Sequence, residues 1–449
     1  MRLIPLASLL LATACVPLGT PITDPNAARG TGQQKPPEYY ADKTLRYQDF
    51  TYTPEVRSVQ CYVATGQPNE VFQPPVVTLG QSQTITLEFD VLNEQSQRYT
   101  AKLIHCDANW QASLLTDMQF LNEINEFLIT DYRVGTGTKV PYFHYRLRAP
   151  AVKISGNYLL VVQSSGGVPV VSRRLLVYEN QVQVGLKPGI VIGGQERYTL
   201  QQLDFSIGYA GVDLVNPAAE VKVVLRQNFR WDNAKYNLQP TFVRDAERRL
   251  DYQYFNFENA FPGLSEYRYF DIRSIQTVGL GVLHVDPRAA PVTTVTTVTL
   301  LPEVTRGGLA YNQYQDANGQ RVFESREYGN GATNADYADV TFQLKAAQPA
   351  PGPVYAFGAF SDWQLKDEFK LAYDEAKQLY TGHALLKQGY YNYDFAVAGA
   401  RGTAPNEVYF EGTHYETENQ YDLLVYYRPP GTRTDLLIGY QTVDMNRRL

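Results

Sequence analysis

Apolar and polar residues alternate with the two-residue period of a half-buried strand at several places along the chain. In Thr84-Ile-Thr-Leu-Glu-Phe89, the side chains of Ile85, Leu87 and Phe89 point to one face. Similar patterning predicts strands at 56–63, 84–89, 99–106, 157–162 and 170–178, which together outline an N-terminal β-sandwich over 46–180. Within it, 107–133 carries Asn109-Trp-Gln and Phe120-Leu-Asn-Glu-Ile-Asn-Glu-Phe127, which follow neither strand period nor a Gly-rich loop composition. A short helix or an ordered loop is expected there.

A second block, 181–305, has strand patterns at 203–209, 221–227 and 292–300, separated by aromatic stretches read as loops: Phe229-Arg-Trp231, Tyr252 to Phe257 and Tyr267 to Phe270. Residues 306–337 form a linker or hairpin with turn signals at Asp316-Ala-Asn-Gly319 and Asn330-Gly331. The last block, 338–449, holds Pro353-Val-Tyr-Ala-Phe-Gly-Ala-Phe-Ser-Asp-Trp363. The chain then reverses at Gln388-Gly389, and Tyr391, Tyr393 and Phe395 share one face of a strand. The expected fold class is all-β: three consecutive immunoglobulin-like β-sandwich domains.

These domains follow an export segment. Arg2, the apolar run from Leu3 to Leu11, and Ala12-Thr-Ala-Cys15 read as a signal peptide over 1–14. The run is far shorter than the roughly 20 residues a membrane-spanning helix needs. Cys15 lies where a lipobox places its lipidated cysteine, so a lipid-anchor tether is expected over 15–45, although Ala12 stands where most lipoboxes carry Leu. Ala12-Thr-Ala14 also satisfies the ordinary cleavage rule, which leaves a soluble periplasmic product as the alternative. The tether is rich in Pro, Gly, Gln and Asn, and about 20 such residues span about 25 Å as a coil. The expected location is the periplasmic face of the outer membrane.

The formal charge of −6 is mild and shows no basic face for nucleic acid. Aromatics make up 13% of the chain, with 34 Tyr against 20 Phe, a composition that favours sheets and polar-aromatic contact surfaces. Tyr254, Phe255, Tyr267 and Tyr269 are accordingly candidate interaction residues. Cys61 and Cys106 are either a disulfide pair in an oxidising compartment or two small buried hydrophobes, and the second reading is preferred. The five His have neither metal nor triad spacing, and no nucleophile-elbow or phosphate-loop motif occurs. Glu411, Glu416 and Glu418 read as solvated loop charge. No catalytic residue, metal, cofactor or small-molecule ligand is expected, and the protein is read as not an enzyme.

Two resemblances add to this reading. Val-x-x-x-Gly-x-Phe-x-x-Trp at 354–363, with Gly-x-x-x-Tyr-x-Phe at 389–395, resembles the early-set sandwiches related to glycogen-binding modules, in which Trp363 would be a sugar-stacking ring. The second platform aromatic of those modules is missing, so Trp363 is read first as core packing. The longer string is more specific. Glu411-Gly-Thr-His-Tyr-Glu-Thr-Glu-Asn-Gln-Tyr421, Val425-Tyr-Tyr-Arg428 and Thr434-Asp-Leu-Leu-Ile-Gly439 resemble the C-terminal signature of the type IX secretion system plug proteins of Bacteroidota. Ile104-His-Cys-Asp-Ala-Asn-Trp110, Val140-Pro-Tyr-Phe-His-Tyr145 and Ser155-Gly-Asn-Tyr-Leu-Leu160 extend the resemblance to the N-terminal domain. It implies a subunit that docks on the periplasmic opening of the giant SprA-type outer-membrane barrel and seals it. The competing expectation is a carbohydrate-binding lipoprotein of a glycan-uptake system.

Overall fold

Alternating sequence becomes paired strand throughout the computed structural model, which describes residues 40–287, 295–400 and 403–447. The expected signal peptide, Cys15 and the tether as far as residue 39 lie outside the described residues. The chain is all-β. Among the described residues no α-helix exceeds four residues, and none is long and apolar enough to cross a membrane.

The N-terminal sandwich has two sheets. A four-stranded sheet runs Val56–Val63, Ile85–Val91, Phe143–Arg148, Asp131–Val134. It faces a six-stranded sheet centred on Pro169–Tyr178, Gly156–Ser164 and Tyr99–Cys106. Ile85, Leu87 and Phe89 meet Leu103, Leu160 and Val162 in the core between them, as strand alternation requires. The 107–133 insertion supplies the short helix Asp117–Phe120, whose Phe120 plugs the core.

The run Tyr158-Leu-Leu-Val-Val162 has no polar face, and both of its faces are buried. Leu160 and Val162 point into the first core, whereas Leu159 and Val161 enter a second core against Val224, Leu424, Tyr426 and Leu437. Those partners belong to a sheet ordered Lys235–Tyr236, Val221–Gln227, Asn419–Tyr427, Leu436–Met445. Its other face, through Leu423 and Val425, packs on a five-stranded sheet containing Gln183–Pro188, Leu200–Gly208 and Arg249–Tyr252. Four sheets thus stack with three cores between them. The Tyr426 hydroxyl crosses the middle core to donate to Asn157 Oδ1 at 2.8 Å, so that buried amide is satisfied.

A ten-stranded sheet holds the remaining strands, with Arg268–Asp271, Gly389–Val397 and Val354–Phe357 at one end and Tyr337–Lys345, Thr296–Leu300 and Val282–Asp286 at the other. Phe342 touches Tyr393 at 5.5 Å and Phe270 at 5.8 Å, across strands far apart in the sheet order, so the sheet curls over its own core. Tyr391, Tyr393 and Phe395 all lie in that core. Residues of the blocks expected at 181–305 and 338–449 therefore share sheets. Val221–Gln227 pairs with Asn419–Tyr427, Arg268–Asp271 with Gly389–Val397, and Thr296–Leu300 with Tyr337–Lys345.

Asp90 on the outer face of the four-stranded sheet fastens the first sandwich to the ten-stranded sheet. It accepts from His144 Nδ1 at 2.8 Å, Tyr337 Oη at 2.7 Å and Lys387 Nζ at 2.6 Å, all buried. A buried carboxylate needs this many donors to offset its desolvation.

Candidate docking face

Most of the aromatic residues singled out for contact are spent inside the protein. Tyr267 is buried, and its hydroxyl accepts from Arg230 Nη1 at 3.1 Å. Arg230 is itself buried and is ion-paired to Glu407 at 2.8 Å and Asp232 at 2.6 Å, while its guanidinium covers the Trp363 ring at 4.0 Å. Phe357 and Tyr267 pack edge-on against the same ring. The turn at Gly319 completes this nest: its φ is +76°, and a Cβ there would stand 2.2 Å from the indole. Trp363 is thus a packed, half-buried side chain with one face taken by an arginine.

Tyr254 is buried in the core of the five-stranded sheet, where its hydroxyl donates to the Gln239 carbonyl. Tyr269 is half-buried between Tyr314 and Tyr390. Phe255 is different, with 79% of its surface exposed.

Phe255 lies in the loop between strands Arg249–Tyr252 and Ala260–Pro262, and this loop is anchored by Tyr252 stacked on Phe205 at 4.3 Å. Beside it the chain leaves strand Gln183–Pro188 through Gly189-Ile-Val-Ile-Gly-Gly194. Val191 turns inward, whereas Ile190 and Ile192 are 82% and 71% exposed. With Phe255 and Phe257 they line a shallow groove of about 160 Å³ whose polar rim includes Asp204, Gln202 and Gln253. Exposed apolar residues gathered around one groove make this the candidate contact surface, unlike isolated ones. Phe242 and Val243, on an edge strand of the same sheet, are also exposed. Sequence reading selected Phe255 and passed over Ile190 and Ile192. Their signal was an apolar triplet flanked by glycines and too short to be a strand.

The acidic cluster is reassigned by the structure at one position. Glu411 is fully buried, not solvated. Its carboxylate takes Arg268 Nε at 3.0 Å and Arg306 Nε at 2.7 Å, and also accepts from the Phe395 amide at 2.9 Å. Burial acts to raise its pKa, but the two guanidiniums outweigh burial and hold it below the usual value. Among the described residues no group of three His, Cys, Asp or Glu is placed to hold a metal ion.

Cys61 and Cys106 are free thiols in opposite sheets of the first sandwich, and burial pushes both up to about 12. At such values the thiolate is scarce at neutral pH, which fits small packed side chains.

No curated protein matches the chain. A solved structure of a hypothetical protein from Parabacteroides merdae is 28% identical and superposes with a TM-score of 0.82, covering 89% of this chain and 100% of that one. Residues 56–179, which hold nearly all of the first sandwich, match the family model of the type 9 secretion system plug protein 1st domain. The first sandwich is thus a domain of the type IX secretion system plug protein family.

Proposed function

We propose that the protein is a non-enzymatic plug subunit that docks on the periplasmic opening of an SprA-type outer-membrane barrel and seals it between transport events. The plug-domain match of residues 56–179 supports a role in type IX secretion. The observation that carries the finer reading is the match of the first sandwich to a plug domain. The Ile190, Ile192 and Phe255 groove is the surface we assign to the barrel rim. A plug must seal yet release, and stacked sheets lose little ordering entropy on docking, so a modest apolar contact suffices. Lipidation of Cys15 would hold a released plug near the pore and make resealing nearly intramolecular. Against sugar stacking at Trp363, Arg230 covers one face of its ring and Phe357 and Tyr267 pack against it.

The test is affinity purification of the tagged protein from gently solubilised envelopes, followed by mass spectrometry. Stoichiometric recovery of a very large outer-membrane barrel supports the proposal. Recovery of polysaccharide-uptake proteins without that barrel overturns it.

A further inference from the structure

Where the first sandwich, the Val221–Gln227 sheet and the ten-stranded sheet converge, they border a half-open cavity of about 370 Å³, within the range of small-molecule sites. Five arginines line it: Arg173, Arg174, Arg226, Arg230 and Arg321. Three are neutralised by carboxylates, Arg173 by Asp362 at 2.9 Å, Arg226 by Asp422, and Arg230 by Glu407 and Asp232.

Arg174 and Arg321 make no ion pair among the described residues. Arg321 is buried, and its guanidinium donates to the Val59 carbonyl at 2.6 Å. Arg174 donates through Nε to the Tyr47 carbonyl at 3.0 Å and covers Trp110 at 4.4 Å and Trp231 at 5.0 Å. The third lining carboxylate, Asp49, accepts from the Arg174 backbone amide at 2.6 Å. Burial raises Asp49 and lowers Arg174 and Arg321, and although Asp49 acts on Arg174 and Asp362 on Arg321, neither carboxylate closes an ion pair with that guanidinium. Carbonyl partners leave guanidinium donors over, and a planar fork suits carboxylate or phosphate oxygens. Gln60, Gln73 and Gln320 on the same walls add neutral amide groups.

We propose that this cavity is a binding site for a small organic oxyanion, a polycarboxylate or phosphate of metabolite size, held by Arg174 and Arg321. The ligand would tie together walls drawn from four separate parts of the chain, at residues 48–76, 173–176, 226–236 and 320–364. Binding only to the folded state raises stability by mass action. The site does not depend on the docking reading.

The test is thermal unfolding of the purified protein in citrate, inorganic phosphate and glucose 6-phosphate, each against sodium chloride of equal ionic strength. At least one is expected to raise the midpoint saturably, and Arg174→Gln and Arg321→Gln each to abolish that rise. Cys61 lines the cavity and gives a second readout on the unaltered protein, with buried Cys106 as the internal reference. Labelling of Cys61 by N-ethylmaleimide is slow because its thiolate is scarce, so it is followed over hours at mildly alkaline pH, and the same anion should slow it about tenfold at roughly ten times its Kd, because only the free fraction reacts. The proposal is overturned if no anion exceeds chloride, if the rise survives in both variants, or if Cys61 labelling is unchanged by the anion that raises the midpoint.

Discussion

Single charged residues decide how this protein is held together. Glu411 stands between two arginines that come from elsewhere in the chain, Arg268 and Arg306. Glu411→Gln leaves both guanidiniums with a neutral partner in the interior and is expected to cost about 3–5 kcal/mol in urea unfolding, the usual cost of orphaning a buried charge. Nothing local announces this role, because Glu416 and Glu418 beside it look the same in sequence. Asp362 is a pH-dependent tie of the same kind. Burial works to raise its pKa, but Arg173, Lys366 and Arg321 bring it from 3.8 down to about 2. A depressed folded-state value means that its stabilisation is complete above the unfolded value and is lost as pH falls towards about 2. Unfolding measured across that acid window should therefore show a slope that Asp362→Asn flattens.

Among the elements, strands with clear local alternation were legible. Val56–Val63, Tyr99–Cys106 and Val221–Gln227 stand where the pattern put them. The aromatic run Tyr267 to Phe270 has the local pattern of a loop, but Arg268–Asp271 is a strand. It pairs with Gly389–Val397, and a partner more than a hundred residues away leaves no local trace. The loops of the candidate face are half legible: Phe255 stands out as an aromatic in a polar stretch, while Ile190 and Ile192 look like ordinary apolar residues. Ile192→Asp and Phe255→Asp should each change stability by no more than about 0.5 kcal/mol, as exposed substitutions do. Both are expected to lower the amount of barrel recovered with the protein. A large loss of stability would show that these side chains serve the fold instead.

Across the whole molecule, sheets built from distant strands make stability collective. A fragment spanning 181–305 keeps Val221–Gln227 but loses Asn419–Tyr427, and with it the strand whose two faces fill two cores. Such a fragment is expected to give the poorly dispersed amide spectrum of an unfolded chain, whereas a dispersed spectrum would mean that the block folds alone. The runs Tyr158 to Val162 and Leu423 to Tyr426 held the clue, since a strand without a polar face must be covered on both sides. Which sheets would cover them was not readable, because it depends on pairing across most of the chain.

The most direct test of docking places a photo-crosslinking phenylalanine analogue at Phe255 in cells carrying the secretion system, with another at Leu283, an exposed position in a different sheet. A crosslinked adduct with the giant outer-membrane barrel from position 255, and none from 283, is the expected result. Adducts from neither position, or equally from both, would contradict the assignment of this face to the pore.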